Sequence, residues 1–168
     1  LIKYGKELKI ISRNIELSDC GYRKFNGDSY QLFADVGQIG PSYQPGHAHA
    51  DTFSFIFYSN KPIIVDPGIS TYNMGEIREL ERSTKYHNTV TVNDENSSIV
   101  WAGFRVAKRA KVTIEKDNYN QLKASHDGYK AIGIKHTRDF HIDGSDILIR
   151  DFINKNKKSN AHFHFHPD

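Results

Sequence analysis

Phe53-Ser54-Phe55-Ile56-Phe57-Tyr58, then Ile63-Ile64-Val65 closed by Asp66-Pro67-Gly68, is the stretch that decides the fold class. Both apolar runs are strand-sized and far short of the roughly 20 residues a membrane helix needs. The Asp-Pro-Gly that follows is turn chemistry. Working outward, a period of two recurs and predicts strands over Tyr30 to Val36, Thr52 to Tyr58, Pro62 to Val65, Thr89 to Val92 and Arg105 to Glu115. It predicts further strands over Tyr129 to Lys135, Thr137 to Ile142, Asp146 to Phe152 and Ala161 to His166. Turn-forming clusters separate them, among them Phe25-Asn26-Gly27-Asp28, Asn93-Asp94-Glu95-Asn96 and Ile142-Asp143-Gly144-Ser145. The basic run Lys155 to Lys158 reads as a solvated hairpin turn. A short helix is expected around Met74 to Ser83, where charged residues surround Ile77 and Leu80. The expected fold is all-β, an antiparallel β-sandwich of many short strands with at most one or two short helices.

Composition narrows the function classes. At 168 residues the chain is long enough for one domain with a real core. Hydrophobic residues at 38% and charged residues at 26% are ordinary for a globular protein. A mean hydropathy of −0.62 and the lack of a long apolar run argue against a membrane span. The net charge of +3 is small and evenly spread, so no nucleic-acid partner is expected. A single cysteine, Cys20, excludes an internal disulfide or a multi-cysteine metal cluster. The chain starts at Leu1 without a signal peptide and ends inside a strand-like alternation. It is therefore expected to be one domain over 1–168, cut from something longer.

Histidine carries the chemistry. The chain has nine, and His47-Ala48-His49-Ala50-Asp51 places three ligand-capable side chains at i, i+2 and i+4. On a strand these would share one face. Asp66 ends an apolar run, and His87 stands where another strand begins in Tyr86-His87-Asn88-Thr89-Val90. Two histidines and an aspartate from three segments form an open set of the kind zinc accepts. Each part also has a plain structural reading: a chance His-x-His, a turn cap at Asp66, a half-buried His87. Cupin-type barrels use a strand His-x-His too, but no glutamate lies between His49 and Glu76 to complete such a site.

Taken jointly, Gly46 to Asp51, Lys61 to Gly68, Tyr72 and Arg82 to Val90 resemble the heparinase II/III family. The likeness is close over 30–93 and looser through His136-Thr137-Arg138 and His164-Phe165-His166-Pro167. It implies the β-sandwich of a polysaccharide lyase that cleaves uronic-acid-containing polymers, such as heparin, heparan sulfate or alginate, by β-elimination. The rival is a non-catalytic carbohydrate-binding or assembly module of a surface polysaccharide system. The resemblance implies His49, Asp66 and His87 as ligands of a structural zinc, His47 as a catalytic-cleft residue and Tyr72 as a substrate-binding one. Asp51 either orients a ligand histidine or makes a strand-end hydrogen bond. The family's principal base and acid lie in an N-terminal α/α toroid missing from this sequence. The domain alone is expected to be inactive, with the toroid and an acidic polysaccharide as partners and a periplasmic or secreted location. His126, His136 and His141 are expected at solvent-facing or core-edge positions, the 162–166 alternation on a surface strand face, and Trp101 and Phe104 in a core or interface.

Overall fold

The computed structural model describes residues 19–168; the first 18 residues of the expected 1–168 domain lie outside it. Two four-stranded antiparallel sheets dominate. The first is a meander of β1 (Tyr22–Asn26), β2 (Tyr30–Asp35), β3 (Phe55–Ser59) and β4 (Lys61–Ile64). The second runs β8 (Val112–Asn118), β9 (Gln121–His126), β10 (His136–Asp143) and β11 (Asp146–Ile153). Two smaller ribbons complete it: β5 (Val90–Val92) with β12 (Ser159–Ala161), and β6 (Ile99–Trp101) with β7 (Arg105–Ala107). One short helix, α1 (Glu76–Glu81), and three 3-10 turns are the only helical pieces among the described residues. The expected all-β sandwich is what the chain adopts.

Alternation explains the layers. Along β2, Tyr30, Leu32 and Ala34 are buried while Gln31 is exposed, as a sheet with one covered face requires. Leu32, Ala34 and Phe55 from the first sheet meet Leu122, Ala124 and Phe140 from the second in one cluster. Phe55 and Phe140 touch edge to face at 5.8 Å between ring centroids, a favoured aromatic geometry.

Several local expectations are corrected. Arg105 to Glu115 is two strands, because Lys108 turns to a φ of 42° between β7 and β8. Tyr129 to Lys135 is a 3-10 turn closed by Gly133 at a φ of 71°. Tyr129 and Ile134 then pack on Val90 and Val92, and the Tyr129 hydroxyl donates to Val90 O at 2.6 Å. Lys155 to Lys158 is no hairpin turn, since β12 pairs with β5 rather than β11. Beyond Ala161 the chain leaves β5 and runs along β4, where Val65 N donates to His164 O and His166 N to Ile63 O. β1, β6 and β9 were not anticipated.

His126 and His136 are also not where the sequence suggested. They are 2% and 0% exposed and form a relay. Gly128 N donates to Nδ1 of His126 at 3.1 Å, His126 Nε2 meets His136 Nδ1 at 3.0 Å, and His136 Nε2 meets Asp151 Oδ1 at 2.7 Å. The chain of donors assigns both rings the neutral Nε2–H tautomer. Arg138 closes on the same carboxylate through Nε and Nη2, both at 2.8 Å. Trp101 and Phe104, expected in a core or interface, are 40% and 38% exposed.

Candidate functional site: a histidine and carboxylate cavity

The segment carrying His47, His49 and Asp51 is not a strand. Pro45, with φ preset and no N–H, starts a 3-10 turn over Pro45–His47, and Ala48 follows in extended geometry. Side chains of α1 and of the residues just after it take its carbonyls. Arg82 donates to Ala48 O through Nε at 3.0 Å and Nη2 at 2.8 Å, and Arg78 Nη2 donates to Gly46 O at 3.0 Å. Ala50 N donates to Arg82 O at 2.9 Å, and Thr84 Oγ1 donates to Ala50 O at 2.7 Å. Arg78 and Arg82 are fully buried for this purpose while Ile77 is 60% exposed.

His47, His49 and Asp51 nevertheless line one cavity, of about 310 Å³, together with Tyr22, Asp35, Ser54, Asp66 and His87. Asp66 follows β4 and uses both carboxylate oxygens. Oδ1 accepts from Gly68 N at 3.0 Å, capping the Pro-Gly turn. Oδ2 accepts from Ser54 Oγ at 3.1 Å and from His87 Nδ1 at 2.8 Å. The other nitrogen of His87, Nε2, lies 3.2 Å from His49 Nδ1. Asn88 seats His87: its Nδ2 donates to Phe55 O and Val65 O, and its Oδ1 accepts from His164 N.

The three side chains whose donor atoms lie within 4.8 Å of one another are His49, Asp51 and His87. Asp66, on the far nitrogen of His87, stands outside that trio. The His49–His87 separation is close to the edge of about 3.3 Å that tetrahedral zinc needs with bonds of about 2.05 Å. Two imidazoles with an adjacent carboxylate therefore fit a zinc ion.

Electrostatics follow from burial and neighbours. Burial, helped by His87 and Arg78, pulls the His49 imidazole down to about 4. Burial pushes the Asp51 carboxyl up to about 7, against the pull of His87. Burial alone would lower His87, but the hydrogen bond and charge of Asp66 outweigh it and raise the imidazole. Burial alone would raise Asp66, but the His87 bond and charge overcome it and lower the carboxyl. Burial thus favours the neutral form of His49, while Asp66 favours the charged form of His87.

His47 and Tyr72 are brought together, with ring centroids 6.2 Å apart and edge-on. Tyr72 is 55% exposed and rests on the Arg78 guanidinium at 5.1 Å. Sequence reasoning missed Tyr22 and Asp35. They pair across β1 and β2, and the Asp35 charge together with burial pushes the Tyr22 phenol up to about 12. Only strand register brings them to the cavity, so no motif marks them.

The family model described as "Heparinase II/III-like, C-terminal" matches residues 12–168, and the chain belongs to that family. Among solved structures it is similar to "Heparinase III-BT4657 gene product", at a TM-score of 0.68 and 22% identity over 89% of this chain and 23% of that one. It is similar too to heparan sulfate lyase HepC from Pedobacter heparinus, at a TM-score of 0.60 and 19% identity over 89% of this chain and 26% of that one. The chain thus spans about a quarter of the length of these structures. No curated protein matches it significantly.

Proposed function

We propose that this chain is the β-sandwich part of a polysaccharide lyase that cleaves uronic-acid-containing, heparan-like or alginate-like polymers by β-elimination. The observation that carries the reading is the convergence of His47, His49, Asp66 and His87 from three chain segments on one cavity. β-Elimination needs a base near operating pH and a stabiliser for the enolate-like intermediate. In this reading His47 faces the substrate, Tyr72 lies on the substrate's path, and the main base and acid come from an N-terminal toroid. The domain alone then turns over nothing. A periplasmic or secreted location goes with this reading; no helix of the described residues is long and apolar enough to cross a membrane.

Zinc held by His49, His87 and Asp66 is the metal part of the proposal. Asp35, Asp51 and Asp66 line the cavity beside the two imidazoles, so its wall offers a cation both oxygen and nitrogen ligands. For Asp66 to bind the ion, its hydrogen bond to His87 Nδ1 has to be exchanged. The placement of Asp51 beside the two imidazoles favours a second reading, with Asp51 as third ligand and Asp66 holding the ring.

Metal content by mass spectrometry tests this in the wild type, His49→Ala, Asp51→Asn and Asp66→Asn. Near-stoichiometric zinc, lost in His49→Ala and Asp66→Asn, supports the first set; loss in Asp51→Asn with retention in Asp66→Asn selects the second. A folded, metal-free wild type rejects both. The lyase reading is tested on the protein joined to its toroid, by the ultraviolet absorbance of unsaturated uronate products. Their absence with an intact toroid favours a non-catalytic carbohydrate-binding or assembly module.

A further inference from the structure

Two buried arginines hold the backbone that carries His47 and His49, and among the described residues no carboxylate is hydrogen-bonded to either. Arg78 and Arg82, four residues apart in the 76–82 turn region, are both 0% exposed. Arg82 Nη2 reaches Pro45 O at 3.3 Å and Arg105 O at 3.1 Å besides its two bonds to Ala48 O. Arg78 bonds Gly46 O and Gly103 O, and its plane faces both the Tyr72 ring and, at 5.7 Å, the Phe104 ring. The Nη1 atom of each is buried and has no hydrogen-bond partner among the described residues. Burying two like charges is costly, and a sheet neighbour would satisfy the same carbonyls without them. What the guanidinium fork adds is planar, fixed-angle donation at the residues flanking His47 and His49.

We propose that Arg78 and Arg82 are positioning residues for the cavity. By holding the carbonyls of Pro45, Gly46 and Ala48, they set where His47 and His49 point, and Arg78 also seats Tyr72. Ion affinity at His49 and His87 then depends on guanidinium geometry and not on positive charge alone. This part rests on the metal reading above.

The test compares zinc affinity, by chelator competition, in wild type, Arg82→Lys, Arg78→Lys and Leu122→Ala, well below each melting temperature. Leu122 is a fully buried core residue of β9 and controls for lost stability alone. The expected result is a roughly 10- to 100-fold weaker affinity in Arg82→Lys, a smaller loss in Arg78→Lys and wild-type affinity in Leu122→Ala. Side-chain ¹⁵N spectra of His47 and His49 in the metal-free protein should shift in both lysine variants and stay unchanged in Leu122→Ala. If the wild type binds no zinc, the metal reading fails and these spectra still decide the positioning role. Wild-type affinity and unshifted imidazoles in a folded Arg82→Lys overturn it. Should Arg82→Lys not fold, Arg78→Lys carries the test, and failure of both to fold assigns the pair to general fold support instead.

Discussion

His126 and His136 lie with Nε2 of one 3.0 Å from Nδ1 of the other, and Asp151 at the far end receives both His136 and the Arg138 fork. Desolvation holds the His126 imidazole well below its ordinary value, reinforced by His136. Burial also lowers His136, against the opposing pull of Asp151. In the unfolded chain both return to about 6.5. Above that pH neither ring binds a proton in either state. As pH falls below it, only the unfolded state takes protons up, so stability falls toward acid. Denaturant melts across pH 4 to 7 should show this as a slope of up to about 2.7 kcal/mol per pH unit from the pair. His126→Gln, which keeps an amide donor but cannot titrate, should reduce that slope by about half; an unchanged slope excludes the assignment.

Asp151 extends the same trend to lower pH. Burial would raise its carboxyl, but the bonds from His136 and Arg138 outweigh that and hold it well below the usual carboxylate range. Its contribution is present above the unfolded value of about 3.9 and is lost as pH falls below that toward the folded value. Asp151→Asn should flatten the stability curve below pH 4 while lowering stability at pH 7.

Arg138 also donates through Nη1 to Phe53 O at 2.9 Å and Asn88 O at 2.6 Å. It thereby ties the sheet bearing Asp151 to the segments that flank Asp51 and His87. Arg138→Met strands a half-buried carboxylate and two carbonyls, so the expected cost is about 3 kcal/mol. A loss under about 1 kcal/mol in urea denaturation would mean that water replaces the fork.

Phe140 measures whether the two large sheets share a core. It is fully buried against Phe55, so Phe140→Ala should cost about 3–5 kcal/mol in a single cooperative transition. Two separate transitions would show that the sheets unfold independently.

Zinc should raise the melting temperature of the wild type if the cavity holds it. At a free concentration 100 times Kd the gain is about 2.7 kcal/mol, removable by chelator and absent in His49→Ala. His47→Ala should keep the gain, since His47 is outside the trio of close donors. Loss of the gain in His47→Ala would move that residue into the ligand set.

Much of the fold was legible because strand alternation is local. Tyr30, Leu32 and Ala34 declare their buried face whatever lies opposite. The reading failed where tertiary contacts overrode the local pattern. Tyr129, Ile132 and Ile134 look like a strand but serve a turn that packs on Val90 and Val92. The helix was placed correctly, but which side it buries was not legible, because Arg78 and Arg82 turn inward as donors to a distant segment.

The amino-acid order by itself pointed to the sandwich class and to five of the cavity's side chains, His47, His49, Asp51, Asp66 and His87, since pleat periodicity and residue chemistry need no partner. Only the tertiary structure decided how those members meet. Asp51 stands beside His49 and His87 while Asp66 holds the far side of the His87 ring, and a bracket of arginine-bound carbonyls replaces the expected strand. Hydrogen-bond partners are chosen by distance in space, and residues 45–51, 66 and 78–88 come within that distance only when the chain has folded.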